Sequence, residues 1–424
     1  YEIPLRLVGS EMCIRDSCVR CLSEMGATVI KVEPPYGDAQ RTQGPGFGCE
    51  QTDMEDPTID LNNTNKNFVS INLKNEEGMK FMKKLLADAD IFVNNLRDKA
   101  LNKMGLDYET LHKEFPTLIW AQMRGYGEYG PEKDSPGFDA VCWAARGGVA
   151  NVFREDGESP AIAPQAFGDY NVGHMLATGI VSALFNRTRT GKGEKVVTNL
   201  YAGAIWGGNI GICATQFGAP YPKSRKHVPN PFNNTYRTYD DKWIYICMPQ
   251  YDKYYPMMMG LFGHEDQIEN PDTNNLTSLK ASGKNVEVID WLEKAFAKKT
   301  FDEWMAIFKE NEVPAQKCFR YTDVVKDEEA YDNDALRMVE YEAYGKRALP
   351  MTPVRFGSYG DPPVVLSKPI GYHTAEFMHD YGYSDEEIAK IAEDGGVVVY
   401  DGPEIEDRIF VSKRQAAGEA PCNW

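Results

Sequence analysis

Through the first half of the chain, apolar residues fall into short β-rich runs separated by amphipathic stretches. TVIKVE (28–33), FVSINL (68–73), DIFVNN (90–95) and TLIWAQM (117–123) predict strands. Glu76 to Ala87 sets Met79, Phe81, Met82, Leu85 and Leu86 on one helical face, and Asp107 to Phe115 reads as a second, shorter helix. Strands alternating with helices predict an α/β domain on a largely parallel sheet, a Rossmann-like arrangement. Beyond Asp169 the pattern predicts a long apolar helix to about Leu184, a turn at Gly191-Lys192-Gly193, and another strand at KVVTNL (195–200).

The alternation then breaks. Residues 220–250 are rich in Pro and Asn, and YRTYDDKWIYICM reads as a hairpin turning at Asp240-Asp241-Lys242. Helices are predicted over 286–299 and 301–311, the second with Thr300 as its N-cap. Strand-like sequence returns after about 335, and a further helix over 384–393 starts behind Ser384. The expected division is a large α/β domain over 1–219, a smaller α+β domain over 220–330, a return to the large domain over 331–400, and a tail over 401–424. Residues 1–17 lack the strand, tight turn and apolar helix that should precede the strand at 28, and SEMCIRD resembles translated sequencing-adapter sequence, as an assembly artefact would leave.

Composition narrows the class. The 424 residues are 42% hydrophobic, enough for a large core. A net charge of −17 opposes phosphate backbones, so nucleic acid is not the expected partner. Nine scattered cysteines, an odd number, do not make a disulfide framework and predict a reducing cytoplasm. Cys18-Val-Arg-Cys21 has neither a second pair nor spaced histidines, so no metal site is expected. No export signal is visible. From Thr198 to Pro222 the chain carries no charge, but its glycines, Asn199, Asn209 and Gln216 predict a buried, closely packed helix and no membrane span.

Three places invite chemistry. Gly125 to Gly130, GYGEYG, matches the dinucleotide fingerprint in letters, but Pro131-Glu132-Lys133-Asp134-Ser135-Pro136 follows where the fingerprint needs a helix. A Gly-rich turn leaving a strand fits better. Asp169, ahead of the long apolar helix, reads either as an N-cap or as a carboxylate nucleophile whose charge the helix-start donors stabilise. Arg97, Lys99 and Lys103 after DIFVNN, with Arg41, sit where α/β sheets hold phosphates, or line a solvated face. His174 could assist proton transfer or be structural. Walker A, HExxH and Ser-His-Asp patterns are missing.

Several stretches together resemble a known family. GATVIKVEPPYGDAQR (26–41), NKNFVSINLKNEEG (65–78), ADIFVNNLRDKALNKMGLDYETL (89–111), GYGEYGPEKDSPGFD (125–139), GDYNVGHMLATGIVSAL (168–184) and TGKGEKV (190–196) are similar to the class III CoA-transferases, the family of formyl-CoA and carnitine CoA-transferases. GYGExGPxKDxPGFD, ARGGV (145–149) and Asn230-Pro231-Phe232 resemble most the branch acting on 2-hydroxy acids such as phenyllactate and 2-hydroxyisocaproate.

The resemblance implies that Asp169 is the catalytic carboxylate, passing through acyl anhydride and aspartyl-CoA thioester intermediates. It implies CoA or acyl-CoA as substrate, with no resident cofactor. The nucleotide site would fall on Ile71, Asn72, Leu73, Lys74, Asn95, Leu96, Arg97 and Lys103, with Gly137, Phe138 and Asp139 nearer the thioester. Pro34 stands where formyl-CoA transferase has an arginine, and the N-terminal loop that touches CoA falls in the incoherent first segment. An interlocked homodimer is also implied. Racemases of the same superfamily pair the aspartate with a histidine in GHD, and here that triplet is Gly137-Phe138-Asp139, without the second acid/base. Aryl or branched 2-hydroxy acids are the expected acceptors, with bile acid, carnitine-like and dicarboxylate acceptors as alternatives.

Overall fold

Six strands pair in parallel through the first half of the chain, joined by helices that cover the sheet. In space the order is Lys66–Ile71, Thr28–Glu33, Arg6–Ser10, Ile91–Asn94, Ile119–Arg124 and Lys195–Asn199, with Val397–Val398 added antiparallel beside Lys66–Ile71. The chain winds outward from Arg6–Ser10 to one edge, then restarts at Ile91–Asn94 and winds to the other. That order is the doubly wound one, and its switch point lies between those two strands. The computed structural model describes residues 5–10, 13–52, 54–357 and 360–419.

The predicted strands form within a residue or two of their expected bounds, because each is an apolar-rich run and the inner ones are buried on both faces of the parallel sheet. Phe81, Met82, Leu85 and Leu86 of the Glu76–Ala87 helix pack into the core with Val69, Phe92, Leu101 and Trp120. The first segment corrects the sequence reading. Arg6–Ser10 is the central strand, its Leu7 and Val8 fully buried, and Cys13–Ser23 is a helix packed along Phe167–Thr190. Five residues suffice for a strand when both neighbours supply its ladder, so a short run carried little periodicity of its own. Residues 1–4, 11 and 12 of that segment, and 420–424 of the tail, lie outside the described residues.

Contacts divide the chain into two compact units. The larger takes the chain up to Val149, Ala163–Asn209, and from Asp327 onward; the smaller takes Ala150–Ile162 and Ile210–Lys326. In the smaller unit Asn233–Arg237, Trp243–Cys247 and Ala315–Lys317 make an antiparallel sheet, with Arg237 opposite Trp243 across the expected turn. Helices Tyr251–Phe262, Asn285–Phe296 and Phe301–Glu310 cover it, the last behind a capping box at Thr300. Phe232 and Tyr236 belong to this aromatic core. Ser384 likewise makes a capping box for Asp385–Glu393 in the larger unit.

The uncharged run from Thr198 differs from expectation. It forms two short helices, Leu200–Gly207 and Asn209–Thr215, and the second has no buried residue. Its glycines break the run, and apolar side chains such as Trp206, 70% exposed, remain on the surface of the single chain. Among the described residues no helix is long and apolar enough to cross a membrane.

Candidate functional site

The Phe167–Thr190 helix begins abruptly. Ala166, with φ of 57°, turns the chain in the left-handed region, and its carbonyl accepts the first helical bond from Tyr170 N at 3.0 Å. Asp169 is therefore inside the first turn and is not the N-cap. Its side chain caps nothing, and Asp169 Oδ1 is buried without a hydrogen-bond partner among the described residues. Burial, and after it the charge of Asp139, push the Asp169 carboxyl up to about 7.

Asp139 reaches the same helix start from another element. It precedes Ala140–Arg146, which winds as a π-helix, a wide form often found at functional sites. Asp139 is 9% exposed. Burial raises its carboxyl to about 6, and the N–H groups of Phe167, Gly168 and Asp169 hold that rise back. Gly168 makes the approach possible, since a Cβ there would overlap Asp139 Oδ1 and the Trp143 ring. Asp139 Oδ1, like Asp169 Oδ1, is buried without a hydrogen-bond partner among the described residues. Trp143 and Phe167 close the surroundings at a centroid distance of 5.5 Å, and Gly137 packs on Gly125 with Cys142 Sγ against both. Phe138 points outward, more than half exposed.

His174 lies one turn along, its Nδ1 3.0 Å from the carbonyl of Tyr170 in its own helix. That contact ties the ring to the helix. The Cys18 and Cys21 thiols are buried, burial pushes Cys21 up to about 12, and no metal-binding group occurs among the described residues.

A second cluster forms at the carboxyl ends of the strands. Ile71 is the buried last residue of its strand, and Asn72 is fixed by its N–H to Gly396 and its side chain to Gly395. Leu73, Lys74 and Lys103 line a cleft of about 930 Å³, within the range of small-molecule sites. Its floor is apolar, with Leu73, Met79, Met104 and Phe115. Its rim carries five lysines, and three are engaged: Lys80 with Glu76 and Glu77, Lys83 with Glu114, Lys84 over the Tyr383 ring. Lys74 and Lys103 are exposed and carry no ion pair among the described residues. Lys80, Lys83 and Lys84 were not singled out from sequence, because lysines every few residues on a helix read as a solvated face.

Asn95, Leu96 and Arg97 follow Ile91–Asn94 at the switch point, outside that cleft's lining; the Leu96 carbonyl accepts from Gln122 Nε2 at 2.8 Å, and Arg97 is exposed. Arg41 is not available for phosphate. It makes two 2.9 Å bonds to the Glu33 carboxylate and a third to the Lys368 carbonyl. Gly127 and Gly130 stand in left-handed conformations in a loop with no helix behind it, so GYGEYG is the turn that its context predicts.

A half-buried carboxylate thus stands in the first turn of a long helix, and a lysine-rimmed cleft opens on the doubly wound sheet. Residues 10–374 match the model of CoA-transferase family III. The chain belongs to that family and is a class III CoA-transferase. It is 39% identical over 383 residues to the cinnamoyl-CoA:phenyllactate CoA-transferase of Clostridium sporogenes, covering 90% of this chain and 93% of that one. It is 38% identical to the (R)-2-hydroxy-4-methylpentanoate CoA-transferase of Clostridioides difficile, over 90% and 95% of the two chains. Among solved structures, a hypothetical protein of Mycobacterium tuberculosis superposes with a TM-score of 0.74 at 26% identity, over 89% of this chain and 99% of that one.

Proposed function

We infer that this CoA-transferase moves CoA from an acyl-CoA donor to a 2-hydroxy acid carrying an aryl or branched apolar side chain, with Asp169 as the covalent carrier. The observation that carries this reading is the half-buried carboxylate of Asp169 in the first turn of its helix, its Oδ1 buried without a hydrogen-bond partner among the described residues. A carboxylate left without donors is a basic nucleophile.

In the proposed sequence, an Asp169 oxygen attacks the thioester carbonyl, the C–S bond breaks, and the CoA thiolate leaves with the electron pair. The thiolate attacks the aspartyl carbonyl of the resulting anhydride, forming aspartyl-CoA and releasing the donor's carboxylate. The incoming acid's carboxylate displaces CoA to make a second anhydride, and the thiolate resolves it at the acid's carbonyl. The new acyl-CoA departs and Asp169 is regenerated. Each step exchanges one activated acyl group for another, so no nucleotide hydrolysis is needed. Trp143 and Phe167 beside the helix start would help exclude water, which would otherwise hydrolyse the anhydride.

The cleft at Leu73, Lys74 and Lys103 suits the nucleotide end of CoA: an apolar floor for the base and two uncommitted cations for phosphates. Ile71, Asn72 and Asn95 to Arg97 would shape the strand ends around it, and Gly137 to Asp139 would face the thioester. The acceptor class rests on the relatives' names, both of which specify 2-hydroxy acids. We place the enzyme in the cytoplasm, in the fermentation of amino acids, as a homodimer. Phe185, 68% exposed on the Phe167–Thr190 helix, and Trp206 supply apolar surface that a second copy would cover.

Incubating the protein with cinnamoyl-CoA and, separately, phenyllactate, 4-methyl-2-hydroxypentanoate, carnitine and glutarate tests the assignment. Formation of the 2-hydroxyacyl-CoA alone is the expected outcome. Transfer only to carnitine or glutarate would overturn the acceptor class, and α-deuterium incorporation from heavy water without transfer would favour racemisation.

A further inference from the structure

Arg146 joins the two stretches that resemble the 2-hydroxy acid branch. It lies in ARGGV (145–149), at the end of the Ala140–Arg146 π-helix, and reaches back to GYGEYGPEKDSPGFD (125–139), the loop that leads into that helix. Arg146 Nη1 pairs with Glu132 Oε1 at 3.2 Å, and the other Glu132 oxygen accepts from Ser135 Oγ at 2.6 Å. The guanidinium also lies 5.2 Å from the centroid of the Tyr126 ring and 5.5 Å from that of Tyr201. Both distances are within the range of cation–π attraction.

These contacts close a circuit. The loop starts at Gly125, whose carbonyl accepts from Tyr201 N at 3.1 Å on the Leu200–Gly207 helix. It ends at Asp139, where the Phe138 carbonyl accepts from the N–H groups of Val141 and Cys142 and so starts the π-helix. Gly147, just past that helix, has no side chain, and a Cβ there would overlap the Ala204 Cβ of the Leu200–Gly207 helix. The end of the π-helix therefore rests on the helix that already holds Gly125. Lys195 ties one part of the loop through Glu128; the part around the exposed Lys133 and Asp134 is tied by Arg146 through Glu132. At the loop's end Asp139 lies against Gly168, next to Asp169 in the chain.

We propose that Arg146 is a positioning residue: it latches the 125–139 loop so that Gly137 to Asp139 keep their place beside the reacting thioester. Its effect on catalysis rests on Asp169 being the covalent carrier. The Arg146 and Glu132 side chains are 45% and 41% exposed, and a pair so exposed adds little to stability. The latch acts through placement, since a shift of about 1 Å at a reacting centre costs up to about 100-fold in rate.

The test compares the wild type with Arg146→Met, which keeps an apolar stem and drops the charge. Hydrogen exchange of the 125–139 peptide reads the latch without substrate, and should quicken about tenfold in Arg146→Met at unchanged unfolding temperature. Hydroxylamine trapping of Asp169 with an acyl-CoA donor reads placement: its rate should fall about tenfold, while the fraction finally trapped matches the wild type. A merely structural loss would lower that fraction and leave the rate of the folded remainder alone. Glu132→Gln should slow trapping less, and the double variant should be little slower than Arg146→Met, because both changes remove one contact. Arg146→Lys, which can pair with Glu132 but lacks the flat guanidinium, should recover part of the rate. Unchanged loop exchange in Arg146→Met would overturn the proposal, and so would a loosened loop with the wild-type trapping rate. CoA transfer by a wild type whose Asp169 is never trapped would instead overturn the proposed function; loop exchange and the transfer rate would then still decide the latch, so the two failures are separable.

Discussion

The Ser17 hydroxyl donates to the backbone carbonyl of Asp169 at 3.1 Å. The N-terminal helix thus touches the residue proposed to carry the chemistry, and Gly173, one turn further along, lets the two helices meet. A Cβ on Gly173 would overlap Ser17 Oγ and crowd the Cys18 N–H. Gly173→Ala should cost about 1–3 kcal/mol by overpacking, and Ser17→Ala about 1 kcal/mol. Urea unfolding measures both, and a Gly173→Ala protein as stable as the wild type would refute the packing.

Lys31 is 1% exposed and reaches Asp16 and Asp38, each at 2.6 Å. Lys31→Met would take from Asp38 its cation and leave Asp16 with Lys66 alone, a loss of about 3–5 kcal/mol. Burial opposes ionisation of Asp38, but Lys31 and the Gln40 N–H outweigh it and hold the carboxyl below its usual range. Its stabilisation is therefore complete above the unfolded value, near 4, and is lost as pH falls through the lower folded value. Without Lys31 the carboxyls rise, so the variant's deficit should shrink on acidification from neutral pH. A deficit independent of pH would show that the loss is packing alone.

In the proposed mechanism Asp169 attacks as the carboxylate, and burial with the charge of Asp139 pushes its carboxyl up to about 7. kcat/KM should fall about tenfold per pH unit below that value, with a plateau above it. The linked stability has the opposite sense. A raised acid stabilises the fold most at low pH, and that contribution is lost as pH rises from about 4 through the folded value. Asp169→Asn should therefore be inactive yet more stable than the wild type at alkaline pH, by about 1 kcal/mol. Thermal melts across pH, beside a rate profile, check the pair of signs.

Lys74 and Lys103 are the uncommitted cations of the cleft. Alanine at either should raise KM for acyl-CoA about tenfold and leave kcat within about twofold, the mark of binding used equally in ground and transition states. Dephospho-CoA thioesters would identify the contact: a lysine on the 3′-phosphate should lose its effect with them. Unchanged KM in both variants would move the nucleotide elsewhere.

Much of the fold was legible because its strands are short apolar-rich runs, such as Thr28–Glu33, and its helices carry an apolar face, such as Glu76–Ala87. Arg6–Ser10 was not, since five residues gain their ladder from neighbours far along the chain, at Thr28 and Ile91. At the site, the family motifs pointed to Asp169 and to Asp139. Their approach to one helix start depends on Ala166 turning left-handed and on the absent side chain of Gly168, tertiary details that spacing does not encode. Arg41 illustrates the converse. Its charge was visible, and its commitment to Glu33 was not.

The central claim is that Asp169 becomes covalently activated, and peptide mass spectrometry after incubation with acyl-CoA and hydroxylamine tests it directly. Hydroxylamine converts an anhydride or thioester at Asp169 into a stable hydroxamate. That modification should appear on the peptide containing Asp169 in the presence of an acyl-CoA donor, and be missing from folded Asp169→Asn. CoA transfer proceeding at full rate with that peptide unmodified, or persisting in Asp169→Asn, would contradict the account.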